Sequence, residues 1–240
     1  MAHHLRRVGL SISTALVVTP ILTGLTAHAA TAAPTVSSVI AAAKSALAKQ
    51  TGVHLELAST SGSTKDDVKA DFGTKMGAEV IVTGKATATV KVTPTYGYIS
   101  GNVLGLTSVV GLSSAEAKKV GTRWISIKAG TSQYSAVATG TTISSLTSVL
   151  PVTKGTTLTT TTEHGLSVHV LKWTTAATGT TPKLAITLTI SATGTILPVE
   201  AVSTAADGTK ATTKLSHWGG QPLVSAPPIA STIASSKVTG

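Results

Sequence analysis

The sequence predicts an α+β protein in which a curved antiparallel sheet wraps around central helices, preceded by an N-terminal packing helix. Three observations predict it. From residue 53 onward apolar positions recur every second residue in short runs, the period of a strand with one buried face. The runs are separated by brief turn signals such as Ser61-Gly62-Ser63, Gly84-Lys85 and Thr93-Pro94, which suit a meander and leave no room for the crossover helices of a parallel sheet. The helical segments after Ile127, at Ala136-Val137 and over 141–150, carry no strongly charged face, the pattern of helices covered on more than one side.

The first stretch reads as a secretory leader, 1–29. His3, His4, Arg6 and Arg7 form a positive end, 8–25 is apolar and uncharged, and Ala27-His28-Ala29 is a small-x-small cleavage site. A retained membrane helix is the weaker reading, because Pro20 and several threonines interrupt the apolar run. A short linker, 30–34, leads to a single domain over 35–228, followed by a tail, 229–240, that carries no clear pattern. Thr35 can cap a helix with Val36, Ile40, Ala43 and Leu47 on one face and Gly52 as its stop.

Strands follow. Val53, Leu55 and Leu57 alternate with His54, Glu56 and Ala58, and further strands are expected over 68–72, 78–83, 86–92 and 95–99. Leu104-Gly105-Leu106 and Val109-Val110-Gly111-Leu112 then give way to Ser113-Ser114-Ala115-Glu116, which reads as a capped helical turn before a strand over 120–127. Ala136-Val137 is a weak helical signal, and over 141–150 Ile143, Leu146, Val149 and Leu150 recur at helical spacing before Pro151. The remainder is strand again, at 158–163, 166–174, 183–191, 197–204 and 210–218. Leu184, Ile186, Leu188 and Ile190 share one face of the third of these. The threonine-rich stretches at 156–162 and 174–181 are expected to coat exposed sheet or turns, since β-branched polar residues suit that position.

Composition excludes more than it selects. The chain has no cysteine, so neither a disulfide nor an acyl-thioether anchor is available to it. Net charge is +10, or +8 once Arg6 and Arg7 depart with the leader, which favours anionic partners such as acidic lipid head groups. Nucleic acid is not expected, because no basic run is interleaved with aromatic residues. His54, His164, His169 and His217 form no metal-ligand pair and are expected to be surface or rim groups; no nucleophile elbow, phosphate-cradling glycine motif or thiol is present. An enzyme, a metal site and a cofactor are therefore not expected.

One stretch says more. The strand Tyr96-Gly97-Tyr98-Ile99-Ser100-Gly101, followed after the helical segments by Gly121-Thr122-Arg123-Trp124-Ile125, resembles the LppX/LprG family of actinobacterial envelope lipoproteins, as does the ending Val224-Ser225-Ala226-Pro227-Pro228. The chain departs from that family in lacking the lipobox cysteine at the cleavage point. The resemblance implies a LolA-like half-barrel, an incomplete antiparallel barrel around central helices with an apolar cavity for lipid tails. It implies a monomeric, secreted or envelope-associated protein without a lipid anchor, which binds or carries an amphipathic lipid, with an anionic head group, and touches a membrane transiently. On that basis the cavity would be lined by Leu104, Leu106, Val109 and Val110, with Leu112, Ile143, Leu146 and Val149, and Tyr96 and Tyr98 would stand at its mouth. The alternative is a non-catalytic cell-envelope interaction module of the same fold with a filled interior. Trp124 is expected to act as a structural plug.

Overall fold

The computed structural model describes residues 33–177 and 182–238, with the backbone alone at 147–149. The expected leader, 1–29, lies outside the described residues. One curved, unclosed sheet of twelve strands dominates the molecule. In chain order the elements are α1 (Val36–Leu47), β1 (Gly52–Ser61), β2 (Thr64–Gly73), β3 (Gly77–Thr83), β4 (Ala86–Val92), β5 (Tyr96–Gly101), α2 (Val103–Ser108), α3 (Ser114–Val120), β6 (Trp124–Lys128) and α4 (Ser132–Thr139). A 3-10 helix, Ile143–Val149, then precedes β7 (Thr157–Glu163), β8 (Leu166–Thr174), β9 (Leu184–Ser191), β10 (Pro198–Ala205) and β11 (Lys210–Ser216). A 3-10 turn, Ile229–Ser231, leads to β12 (Thr232–Ala234) and α5 (Ser235–Val238).

The spatial order is β12-β6-β5-β4-β3-β2-β1-β11-β10-β9-β8-β7. Two meanders are thus joined where β1 pairs with β11, Leu55 opposite Leu215. Every neighbouring pair is antiparallel except β12 on β6. Following the register across the sheet puts one apolar row on one side. Phe72 lies opposite Val53 and Gly77, Val92 opposite Gly97, and Gly97 opposite Ile127; on the other arm Leu188 lies opposite both Ala201 and Leu171. This inner face carries the helices.

Three apolar clusters fill it. Under α1, Val39, Ile40, Ala43 and Leu47 meet Leu171, Trp173, Ile186, Leu188 and Ile190 of β8 and β9. The helix forms as its pattern predicts, with Thr35 and Ser38 exchanging capping bonds, but it ends at Ala48; Gly52 opens β1 instead. In the middle, Ile143 and Leu146 of the 3-10 helix pack on Val53, Leu55, Ala70, Phe72 and Leu215. That segment is not the α-helix its spacing implies, because Thr142, Ser144 and Ser145 use their hydroxyls locally: Thr142 and Ser144 hydroxyls lie 3.1 Å apart, and Ser145 Oγ donates to the Thr142 carbonyl at 2.7 Å. Trp218 touches both of these clusters and donates Nε1–H to the Pro198 carbonyl at 3.1 Å. The third cluster, beneath α2 to α5, holds the candidate site.

After β11 the chain turns at Gly219, whose N–H reaches the Gly52 carbonyl at 2.9 Å, and crosses the outer face. There Lys91 Nζ donates to the Ser225 carbonyl at 3.5 Å while standing 5.1 Å above the Trp124 ring. The crossing ends at β12, which extends the sheet beyond β6, so the segment 229–238 that showed no pattern in sequence supplies the last strand and a helical turn that buries Val238.

Candidate functional site

An apolar cavity of about 130 Å³ lies between the inner face of β5 and β6 and the helical layer. Its walls are Ile99, Ile125 and Ile127 from the sheet, Val110 and Leu112 from the link between α2 and α3, Gln133 and Val137 from α4, and Ser235 and Val238 from α5. Gln133 and Ser235 are the polar side chains among these. In volume this space is close to an apolar cavity of ~150 Å³ that accepts a benzene-sized solute. It takes a short length of hydrocarbon, each buried methylene contributing about 0.8 kcal/mol.

Local chemistry fixes each wall. Asn102 caps α2 by accepting from the Gly105 N–H at 2.7 Å, accepts also from the Thr87 N–H at 3.1 Å, and donates Nδ2–H to the Lys85 carbonyl at 2.7 Å. A side chain is thereby shared between helix and β4. Gly105 completes the fit: a Cβ there would sit 1.9 Å from the Thr87 carbonyl oxygen, so only glycine lets α2 lie this close. Ser113 and Glu116 exchange capping bonds at the start of α3, as the sequence predicts. Hydrogen bonding from the Ser113 side chain first, and from its backbone N–H second, holds the Glu116 carboxyl below the usual carboxylate range.

At the other end of α3 the Gly121-Thr122-Arg123-Trp124 segment explains itself. Gly121 adopts φ +61°, a conformation that ends the helix. Arg123 then folds back over the carbonyls of the last turn, donating its backbone N–H and its Nε–H to Val120, each at 3.2 Å, and an Nη2–H to Lys119, and Trp124 opens β6. Trp124 is half-buried on the outer face, against Lys91, and does not enter the cavity. Thr131 caps α4, and Tyr134 fastens it to the β4–β5 turn through an O–H bond to the Thr93 carbonyl at 2.7 Å.

The residues expected to line a lipid cavity are dispersed. Val110 and Leu112 line it. Leu106 is fully buried in the same cluster, Val109 is half-buried, and Leu104 is 52% exposed. Ile143 and Leu146 belong to the middle cluster, over β1, β2 and β11, and the side chain of Val149 lies outside the described residues. Tyr96 and Tyr98 stack on each other, ring centroids 5.9 Å apart, on the face of β5 opposite Ile99 and therefore opposite the helices. Burial, and less so the neighbouring Tyr96, raises the ionisation range of Tyr98. Reasoning from sequence missed Ile99, Ile125 and Ile127, though their alternation was legible, and missed the whole contribution of α4 and α5.

A larger hollow, about 430 Å³, lies on the outer face beneath the crossing segment. His54, Asp71, Ala78, His217 and residues 220–224 line it together with Val53. His54 Nδ1 is 2.8 Å from Asp71 Oδ1 and its Nε2 is 3.7 Å from Glu56, while the His217 ring meets it edge-on at 5.8 Å. Among the described residues no group of three or more His, Cys, Asp or Glu side chains is placed to hold a metal ion. His169 departs from the surface position expected of it: it is 8% exposed on the inner face of β8, bonded through Nδ1 to Thr160 Oγ1 at 3.0 Å, and burial lowers its ionisation range.

No family model matches the chain, and no curated protein matches it in sequence. Among solved structures it is similar to the lipoprotein LppX of Mycobacterium tuberculosis, with a TM-score of 0.50 over 79% of this chain and 98% of that one, at 15% identity. The likeness is one of fold: a curved, unclosed, mostly antiparallel sheet with a few helices, an α+β half-barrel. No helix among the described residues is long and apolar enough to cross a membrane.

Proposed function

We propose that this chain is an exported protein that binds or carries an amphipathic lipid, admitting part of an acyl chain between the inner face of β5–β6 and the helical layer. The observation that carries this reading is the apolar cavity bounded by Ile99, Leu112, Ile125 and Val137, in a fold similar to that of a lipoprotein. Its lining offers area without a fixed set of hydrogen-bond partners, which suits a flexible hydrocarbon. Lys118 and Lys119 on α3 and Lys237 on α5 belong to elements around the cavity and would meet an anionic head group. Export follows from the leader-like 1–29, and with no cysteine the released chain would act without an acyl tether, as a monomer in transient contact with the envelope.

Native mass spectrometry of the purified protein, with organic extraction of its ligand, is the test. Lipid-bound species should appear, and Leu112→Asp, which places a charge in the wall, should lose them. A wild-type protein that is ligand-free and takes up no fatty acid on incubation rejects the reading. The cavity's small volume favours a second one, an envelope interaction module whose interior is mostly filled by its three clusters. That module would bind a protein or wall polymer with its lining residues dispensable.

A further inference from the structure

We propose that β12 and α5 form a displaceable plug, and that hydrocarbon enters the cavity where Val238 now sits. The inference rests on the lipid-binding reading and names how that site is controlled. Val238 is 2% exposed and lines the cavity together with Ser235, while Ile233 just before them is buried in the same cluster. The chain's own aliphatic side chains thus complete a wall that the sheet and α2 to α4 leave open.

Its attachment is slight compared with its burial. β12 pairs with β6 over three residues, Thr232 with Trp124, Ile233 with Ile125 and Ala234 with Ser126. It is the parallel member of an otherwise antiparallel sheet, and it lies at the edge. Ser126 Oγ donates to the Ile233 carbonyl at 3.4 Å, near the limit of a hydrogen bond. By contrast β6 is held from its other side by four residue pairs to β5, so β12 and α5 can leave without breaking any other strand pair. Segments with short ladders at an edge occupy the low end of local stability.

The preceding segment suits release. Leu223 is 99% exposed and Ile229 is 90% exposed, while Pro227 is buried and the Ser225 carbonyl accepts from Lys91, so the stretch laid across the outer face is anchored up to Pro227 and exposed just before β12. It is fixed near its start by the Gly219–Gly52 bond, which keeps a freed plug tethered close to its seat. Rebinding is therefore intramolecular and fast, and an acyl chain competes with Val238 for one apolar space.

The cysteine-free chain permits a clean test. In the double variant Ser126→Cys/Ala234→Cys the two substituted positions are register partners, at the spacing a disulfide bridges. Uptake of cis-parinaric acid, followed by its fluorescence, should be about tenfold slower or more in the oxidised form than in the reduced form, with reductant restoring it. In the wild-type chain, amide hydrogen exchange over 232–238 should be faster than over β5. Equal uptake by oxidised and reduced forms, with the disulfide verified by mass, overturns the plug. If neither form nor wild type takes up the probe, the lipid reading fails. Exchange at 232–238 then decides the plug alone, protection equal to that of β5 overturning it.

Discussion

Replacing Gly105 by alanine sets two physical effects against each other. Within a helix the change removes backbone freedom from the unfolded chain and should stabilise by roughly 1 kcal/mol. The added Cβ would lie 1.9 Å from the Thr87 carbonyl oxygen, 2.5 Å from its carbon and 2.9 Å from its nitrogen, all backbone atoms of β4. No rotamer relieves such a contact, so α2 must lift from the sheet, loosening the bonds of Asn102 to Thr87 and Lys85 and the burial of Leu106. Overpacking of this kind costs about 1–3 kcal/mol, and the two loosened hydrogen bonds about 1 kcal/mol more between them, so the steric effect exceeds the gain by roughly 2 kcal/mol. For a domain of this size that lowers Tm by about 4–8 °C. Differential scanning calorimetry of Gly105→Ala gives the sign directly. An unchanged or raised Tm refutes the close approach of α2 to β4, and with it the position of the cavity wall formed by Val110 and Leu112.

Three further outcomes are expected. Burial lowers the ionisation range of His169 in the folded state, so on acidification the unfolded chain takes up a proton first; stability should be full above the ordinary histidine value of about 6.5 and decline as pH falls through it, and in thermal melts His169→Gln should remove part of that slope. An identical slope in the variant would place the acid sensitivity elsewhere. Arg123→Ala removes the side-chain donor to the Lys119 carbonyl and leaves Val120 only the backbone N–H of residue 123, and should lower the urea midpoint by the equivalent of about 1–2 kcal/mol, whereas Ser113→Ala at the opposite end of the same helix costs about 1 kcal/mol and Ser113→Asp restores it. Leu146→Ala should destabilise by about 2–5 kcal/mol yet leave fatty-acid uptake near wild type, since its side chain packs over β1, β2 and β11; lost uptake in a folded variant would show that the hydrocarbon path reaches the middle cluster.

The strands were legible because they alternate. Val53, Leu55 and Leu57, and later Leu184, Ile186, Leu188 and Ile190, announce both the period and the face that packs inward. The caps at Thr35 and Ser113 were equally plain, since each needs only a hydroxyl and a partner three residues on. What sequence could not rank was which aliphatic residues share a space. Leu112 and Ile143 are both aliphatic residues of helical or linking segments, yet they pack over different strand pairs, so one lines the cavity and the other belongs to the middle cluster. Tyr96 and Tyr98 share a face by the period of a strand, but whether that face meets helices depends on the register with β4 and β6, a tertiary fact. The last strand escaped notice for a related reason: three residues have no period, and β12 exists only because β6 offers an edge.

That β1 joins β11 has a consequence for how the molecule comes together. Hairpins such as β1–β2 and β8–β9 close through short loops, whereas the Leu55–Leu215 match must wait until nearly the entire polypeptide is available. Long loop closure is slow, so the two meanders should mature as separate ribbons and zip together last. Until then each presents a raw strand border with unsatisfied amides, and the yield of native protein will fall as refolding concentration rises, the two ribbons finding neighbours' borders before their own.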